Sequence, residues 1–120
     1  MKIINKRLTG GSYELTAADY LKRKGLDILL MNYRCKIGEI DIVAKENNTY
    51  VFVEVKYRKN DSKGDASEAV DIRKQKKICK VSDYFRMVNR LSEDTSVRYD
   101  VVAINGEKTE WYKNAFEYIY

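Results

Sequence analysis

The most constraining feature of the chain is a pair of alternating segments that meet at a tight-turn dipeptide. Ile37-Gly-Glu-Ile-Asp-Ile-Val-Ala-Lys45 and Tyr50-Val-Phe-Val-Glu-Val-Lys-Tyr57 flank Asn47-Asn48, a pair that tolerates the left-handed conformation of two-residue hairpin loops. The period of two puts Glu39, Asp41 and Val43 on one face of the first strand, opposite Ile40, Ile42 and Ala44. In the second strand Phe52, Glu54 and Lys56 share a face, and Val51, Val53, Val55 and Tyr57 share the other. Closing the hairpin on Asn47-Asn48 sets Asp41 across from Glu54, Glu39 across from Lys56 and Val43 across from Phe52. Two carboxylates then stand about 4.5–5.5 Å apart at Cβ. A slip of one residue in the turn would separate them.

Directly opposed like charges destabilise a sheet, and the strand around Glu54 is apolar enough to be central and buried, so something must compensate. A divalent cation would do so: Mg²⁺ takes oxygen ligands and is commonly held by one or two carboxylates. Lys56, two residues beyond Glu54 on the same face, could then orient or deprotonate an attacking water and stabilise charge developing on a phosphate. The same residues also suit a buried salt-bridge lattice in which Glu39 pairs with Lys56 and one carboxylate is protonated. Composition narrows the chemistry further. The 120 residues contain no histidine, which removes Ser/His/Asp and Cys/His nucleophile sites, histidine bases and every histidine-containing zinc site. Any catalysis must run on carboxylates, Lys, Tyr or a hard metal ion.

The rest of the chain supplies the layers around this hairpin. Ser12, Leu15, Ala18 and Leu21, stopped at Gly25, read as a first helix with Ser12 as N-cap and a glycine C-cap. Ile28 to Arg34 reads as a strand that Asn32 shortens or frays. Asp65 and Glu68 resemble a capping box for a second helix whose apolar positions Ile78, Val81, Phe85 and Val88 step by three, four and three, and which runs to about Leu91. Val97 to Ile104 reads as a strand, followed by an Asn105-Gly106 type I′ turn into Lys108 to Tyr112. The expected fold is a single α/β domain over residues 1–120 with a ragged basic N-terminus over 1–10: helix, three strands, long helix and final hairpin, on a mixed sheet.

Charge is unevenly placed. Net charge is +5, and residues 56–80 hold nine basic side chains (Lys56, Arg58, Lys59, Lys63, Arg73, Lys74, Lys76, Lys77, Lys80) against four acids, so this segment carries the whole excess. Such a cluster suits a polyanion, because each neutralised phosphate releases counterions. A solvated helix face is the plainer reading of a basic run alone. A membrane surface fits less well, because no large Trp/Phe/Leu face flanks the run. No apolar run exceeds four residues, which argues against a transmembrane helix or signal peptide, and two cysteines, Cys35 and Cys79, suit a reducing cytoplasm.

Two polar residues stand beside apolar stripes. Glu14 falls in the first turn of the expected helix, where the helix dipole alone favours an acid. Gln75 lies three residues from both Ile72 and Ile78, so it is either a satisfied core hydrogen bonder or a group facing phosphate. Several of the ten tyrosines could stack on bases, although such residues more often pack with a wet hydroxyl; Trp111 reads as core. Gly10-Gly11 lacks the spacing of a phosphate-cradling loop.

Four ordered blocks, Asn32-Tyr-Arg-Cys-Lys-Ile-Gly-Glu-Ile-Asp41, Val51-Phe-Val-Glu-Val-Lys-Tyr-Arg58, Glu68-Ala-Val-Asp-Ile-Arg-Lys-Gln-Lys-Lys77 and Arg98-Tyr-Asp-Val-Val102, closely resemble the YraN-like family of small bacterial proteins, from about Gly11 to Phe116. The resemblance implies a restriction-endonuclease-like fold of the PD-(D/E)xK class, similar to archaeal Holliday-junction resolvases. It further implies Mg²⁺ or Mn²⁺ held by Glu14, Asp41 and Glu54, with Lys56 serving the attacking water in phosphodiester cleavage. Gln75 matches a helix glutamine of several nuclease branches. Tyr13 precedes Glu14 where the family block usually reads Gly-Glu, and Ile40 stands where the class name places a proline. The expected partner is nucleic acid, DNA above RNA, gripped by Arg58, Lys59, Lys63, Arg73, Lys74, Lys76 and Lys77. The alternative is a nucleic-acid-binding or assembly module that keeps the fold with little or no cleavage. A structural domain with a salt-bridged hairpin is the third reading, and a homodimer stays open.

Overall fold

A computed structural model describes residues 8–58 and 70–120. Its elements run α1 (Leu8–Arg23), β1 (Asp27–Arg34), β2 (Glu39–Glu46), β3 (Thr49–Arg58), α2 (Ile72–Val88), β4 (Ser96–Asn105) and β5 (Lys108–Phe116). The five strands form one sheet in the order β1-β2-β3-β4-β5. β3 and β4 are parallel, joined by the α2 crossover, and every other neighbouring pair is antiparallel. This is the expected mixed α/β sheet flanked by two helices, an arrangement consistent with the restriction-endonuclease-like class. Among the described residues, no helix is long and apolar enough to cross a membrane.

Alternation along the strands sorts the core into two layers. Phe52, Tyr99, Val101 and Phe116 meet Ile78, Val81 and Phe85 of α2 on one face. The aromatic rings form a run there, with Phe85 to Phe52 at 5.6 Å, Phe52 to Tyr99 at 5.7 Å and Tyr99 to Phe116 at 5.3 Å between centroids. On the other face Val51, Val53, Val102 and Ile104 meet Ala17, Ala18 and Leu21 of α1. The two alanines let α1 lie close to the sheet. Its buried stripe is therefore Ala17, Ala18 and Leu21, with half-buried Glu14 at its edge, and Leu15, expected on that stripe, is half exposed.

The helix ends follow their residues. Gly25, at φ 104°, closes α1 in a Schellman motif: its N–H bonds to Lys22 O, the Leu26 N–H to Leu21 O, and Leu26 buries itself beside Leu21. α1 begins at Leu8, so Ser12 lies inside the helix and is not its N-cap. Glu14 correspondingly leaves the first turn, and the dipole no longer accounts for it. α2 is capped by Asp71, whose Oδ1 accepts from Lys74 N at 2.9 Å, and it ends at Val88. Asp65 and Glu68 lie outside the described residues. Ile72 and Val88, expected on the apolar stripe of this helix, are both more than half exposed, because the buried part of the helix spans only Ile78 to Phe85.

The hairpin closes as expected on Asn47-Asn48, with Asn47 at φ 57° and the pairs Glu46↔Thr49, Lys45↔Tyr50, Ala44↔Val51, Val43↔Phe52 and Ile42↔Val53. The final turn is displaced by one residue. Asn105 pairs with Lys108, leaving Gly106-Glu107 as the loop. Only Gly106 takes a positive φ, at 64°, the pattern of a type II′ turn rather than the expected type I′.

β5 also carries a bulge, and buried Asp100 pins it. The carboxylate, 0% exposed, accepts from Asn114 N at 2.8 Å, Trp111 Nε1 at 2.8 Å and Arg98 Nε at 3.0 Å. Arg98 in turn reaches Glu46 at 2.7 Å. Trp111 is thus only partly buried, with its indole N–H in this network.

Candidate metal centre

The regular pairing of β2 with β3 stops at Ile42↔Val53, and the site begins where it stops. Ile40 packs in the α2-side layer with Val43 and Phe52, whereas Ile42 and Ala44 pack on the α1 side. Strict alternation would have put Ile40 with Ile42, so β2 turns over at Asp41. β1 breaks at the same level: Asn32, between the pairs Met31↔Ile42 and Tyr33↔Ile40, takes φ 53°. Asp41 therefore does not stand in a regular cross-strand pair with Glu54. Its Oδ2 instead accepts the Val55 N–H at 2.8 Å, filling the place of a ladder hydrogen bond.

This turn of the strand brings Asp41 to the α1 side. Carboxylate oxygens of Glu14, Glu39 and Asp41, all half-buried, lie within 4.8 Å of one another. Glu14 and Asp41 also share a side-chain hydrogen bond. Desolvation pushes the Asp41 carboxyl up to about 7, with the Glu14 and Glu39 charges adding to it, against the opposing pull of the Val55 N–H. An acid so placed is short of positive charge. Three oxygens converging at this range fit a hard divalent cation, around which oxygens at about 2.1 Å stand at most about 4.2 Å apart, so small side-chain movements would close the set.

Glu54 is close by but differently engaged. It is 5% exposed, and burial, then the Asp41 charge, push its carboxyl up to about 7 while Lys74 and Lys56 pull it down. Its Oε2 meets Lys74 Nζ at 3.1 Å. Burial lowers the Lys74 ammonium, but the Glu54 charge and hydrogen bond outweigh this and leave it raised. Lys56, half-buried on β3, is near enough for its charge to act on Glu54. Glu39 pairs with Arg34 at 3.6 Å, not with Lys56 as the lattice alternative expected.

α2 crosses directly over this region. The stem of Lys77 lies against Gly38, where a Cβ would come within 3.1 Å of the Lys77 Cγ and Cδ. Gly38 closes the β1–β2 turn with reciprocal backbone bonds to Cys35, so glycine admits the helix beside the start of β2. Arg73, Lys74, Lys76 and Lys77 are exposed along this part of α2. Gln75 turns inward: its Nε2 donates to Val70 O at 2.8 Å, tying the chain entering α2 to the helix, as in the hydrogen-bonding reading. Arg58 ends β3, and Lys59 and Lys63 lie outside the described residues.

The structure thus gathers Glu14, Asp41, Glu54 and Lys56 around one end of the hairpin and adds two groups. Glu39, two residues before Asp41, carried a signal in its shared strand face. Lys74 reads from the sequence as a phosphate contact alone, because its pairing with Glu54 depends on the helix crossing, which no local pattern encodes.

The model of the family described as "Uncharacterised protein family UPF0102" matches residues 13–104, a span holding all of these residues. The chain is similar to a UPF0102 protein of Lachnoclostridium phytofermentans, 50% identical over 114 residues covering 95% of this chain and 97% of the relative. It is likewise similar to UPF0102 proteins of Aliivibrio fischeri, 43% identical over 114 residues (92% and 93% covered), and of Vibrio cholerae, 39% identical over 118 residues (96% and 97% covered). With the YraN-like resemblance of its four blocks borne out at this level, the chain belongs to the UPF0102 family.

Proposed function

We propose that the chain is a metal-dependent endonuclease that hydrolyses phosphodiester bonds in DNA, with branched or otherwise non-B DNA as its substrate class. The observation that carries this reading is the convergence of Glu14, Glu39 and Asp41 within 4.8 Å beside Glu54 and Lys56. Glu14, Glu39 and Asp41 would hold Mg²⁺ or Mn²⁺, with Glu54 completing the set once released from Lys74. When bound, such an ion neutralises phosphate charge and lowers the pKa of water.

The remaining roles fall to the chain itself. Lys56, between buried Glu54 and solvent, orients the attacking water and offers positive charge to the phosphate as it becomes more anionic. Val55 N–H fixes the Asp41 carboxylate, so its second oxygen keeps a set direction. Arg73, Lys74, Lys76 and Lys77 present cations along one helix beside the acids, which suits a backbone passing between helix and hairpin. Gln75 acts as a positioning residue that holds the entry to that helix.

One observation favours a second reading, a nucleic-acid-binding module with little cleavage: Glu54 is engaged by Lys74 at 3.1 Å and stands outside the carboxylate trio. Incubation of plasmid, linear and four-way-junction DNA with Mg²⁺ or Mn²⁺ separates the two. The nuclease reading expects cleavage by the wild type and a loss of about 10²–10⁴-fold in Asp41→Asn and Lys56→Ala. Undiminished cleavage by both variants would sink the assigned site, and DNA binding by the wild type without cleavage would favour the module.

A further inference from the structure

A pair of tyrosines, each next in sequence to a residue of the site, has no part in the chemistry above. Tyr13, one residue before Glu14 in α1, and Tyr57, one residue after Lys56 in β3, stack face to face with ring centroids 3.9 Å apart and planes 11° apart. Tyr13 packs against the α1-side core layer. Tyr57 rests on Tyr13 and remains 41% exposed. With one face taken by Tyr13, the exposed part of Tyr57 is its other face and edge. The remaining parallel stacks, Phe52 with Tyr99 and Tyr99 with Phe116, lie inside the core, where burial explains them. Burial does not explain an exposed ring held flat and backed by a second.

We propose that Tyr57, backed by Tyr13, is a stacking subsite for an unpaired nucleobase next to the bond that is cut. This rests on the nuclease reading and names its substrate class: DNA with a single-stranded or extruded nucleotide, as at a fork, a flap or a junction crossing. A planar ring laid flat on Tyr57 would continue a stack whose 3.9 Å spacing is close to the ~3.4 Å rise of stacked bases. Every base offers a π-face, so the contact is indifferent to sequence, while the bases of an intact duplex are stacked on one another and cannot reach it. Tyr57 stacks on Tyr13 on the α1 side of the sheet, where Glu14 meets Asp41, whereas its neighbour Lys56 points to the opposite face, so the base would lie on the side of the Glu14–Asp41 pair. The basic face of α2 supplies the backbone contacts common to all DNA, leaving the tyrosine pair to discriminate unpaired from paired strands.

The test is DNA binding in EDTA, so that cleavage plays no part, using fluorescein-labelled single strand, splayed-arm duplex and blunt duplex. The proteins are wild type, Tyr57→Ala, Tyr57→Phe and Tyr57→Trp, each shown to melt cooperatively. Tyr57→Ala should weaken single-strand and splayed-arm binding about 5- to 150-fold and leave blunt-duplex affinity unchanged. Tyr57→Phe and Tyr57→Trp should retain the preference within about twofold, since both keep a stacking ring. Equal losses on all three DNAs, or no loss on any, would overturn the subsite. If the wild type cleaves DNA while Tyr57→Ala binds unpaired strands normally, the subsite falls and the nuclease reading stands. A Tyr57-dependent preference for unpaired strands without any cleavage supports the subsite and moves it to the binding-module reading.

Discussion

Asp41→Asn offers a test of the site that needs no substrate. In the absence of a cation, Asp41 is half-buried beside Glu14 and Glu39, and desolvation first, then those two charges, push its carboxyl from the ordinary 3.8 up to about 7. In the unfolded chain the group titrates near its ordinary value. Between about pH 4 and 7 the folded chain therefore keeps a proton that the unfolded chain has released, so metal-free stability falls as pH rises through this window and levels off above it. Glu54, also raised to about 7, has the same sign. A shift of about three pH units corresponds to about 4 kcal/mol, and relaxation shared among the coupled acids reduces the expected effect to about 1–3 kcal/mol. Asparagine keeps an oxygen to accept the Val55 N–H, can donate to Glu14, and carries no charge. In EDTA at pH 8 Asp41→Asn should melt above wild type by about 4–12 °C, with the gap closing toward pH 5. Saturating Mg²⁺ should raise the wild-type melting temperature by more than that of the variant. Circular-dichroism melts from pH 5 to 8 read both effects. A variant that melts below wild type at pH 8, or a gap independent of pH, would refute the electrostatic account of the site.

Substitutions at three further positions probe the site and the sheet around it. Lys74→Ala removes the 3.1 Å partner of a carboxylate that is 5% exposed, and urea unfolding at pH 8 should show a loss of about 1–2 kcal/mol that shrinks at pH 5, where Glu54 is protonated. Asp100→Ala strips the fully buried acceptor shared by Arg98, Trp111 and Asn114, and should cost about 3–5 kcal/mol in the same assay. At Gly38, alanine would press on the Lys77 methylenes at 3.1 Å and Val81 at 3.5 Å, both side chains, so Gly38→Ala should cost less than about 1 kcal/mol and Gly38→Leu about 1–3 kcal/mol.

Much of this was legible in the sequence because it depends on short-range geometry. Asn47-Asn48 sets a two-residue turn, and with it the pairing of Val43 with Phe52 and the sorting of Val51 and Phe52 to opposite layers. Gly25 ends α1 through its own backbone conformation. What was missed depends on tertiary contacts. Strict alternation carried Asp41 toward Glu54, whereas burial of Ile40 beneath α2 turned the strand over and sent Asp41 to Glu14. Ser12 has the chemistry of a cap, yet the helix continues through it to Leu8. Asn105-Gly106 reads as a turn, but pairing of Asn105 with Lys108 moves the loop by one. Lys74 sits in a basic run that suits solvent, and only the path of α2 across the sheet sets it on Glu54. Asp100 lies in an apolar strand without a local sign that Arg98, Trp111 and a bulge in β5 would converge on it.

The central claim is that Glu14, Glu39 and Asp41 form one divalent-cation site, and a Mn²⁺ titration followed by electron paramagnetic resonance tests it most directly. Wild type should bind one Mn²⁺ per chain, displaceable by Mg²⁺, with affinity reduced at least about tenfold in Glu14→Gln and in Asp41→Asn and unchanged in the exposed control Glu93→Gln. Equal Mn²⁺ binding by wild type and Asp41→Asn, or no binding by the wild type, would contradict it.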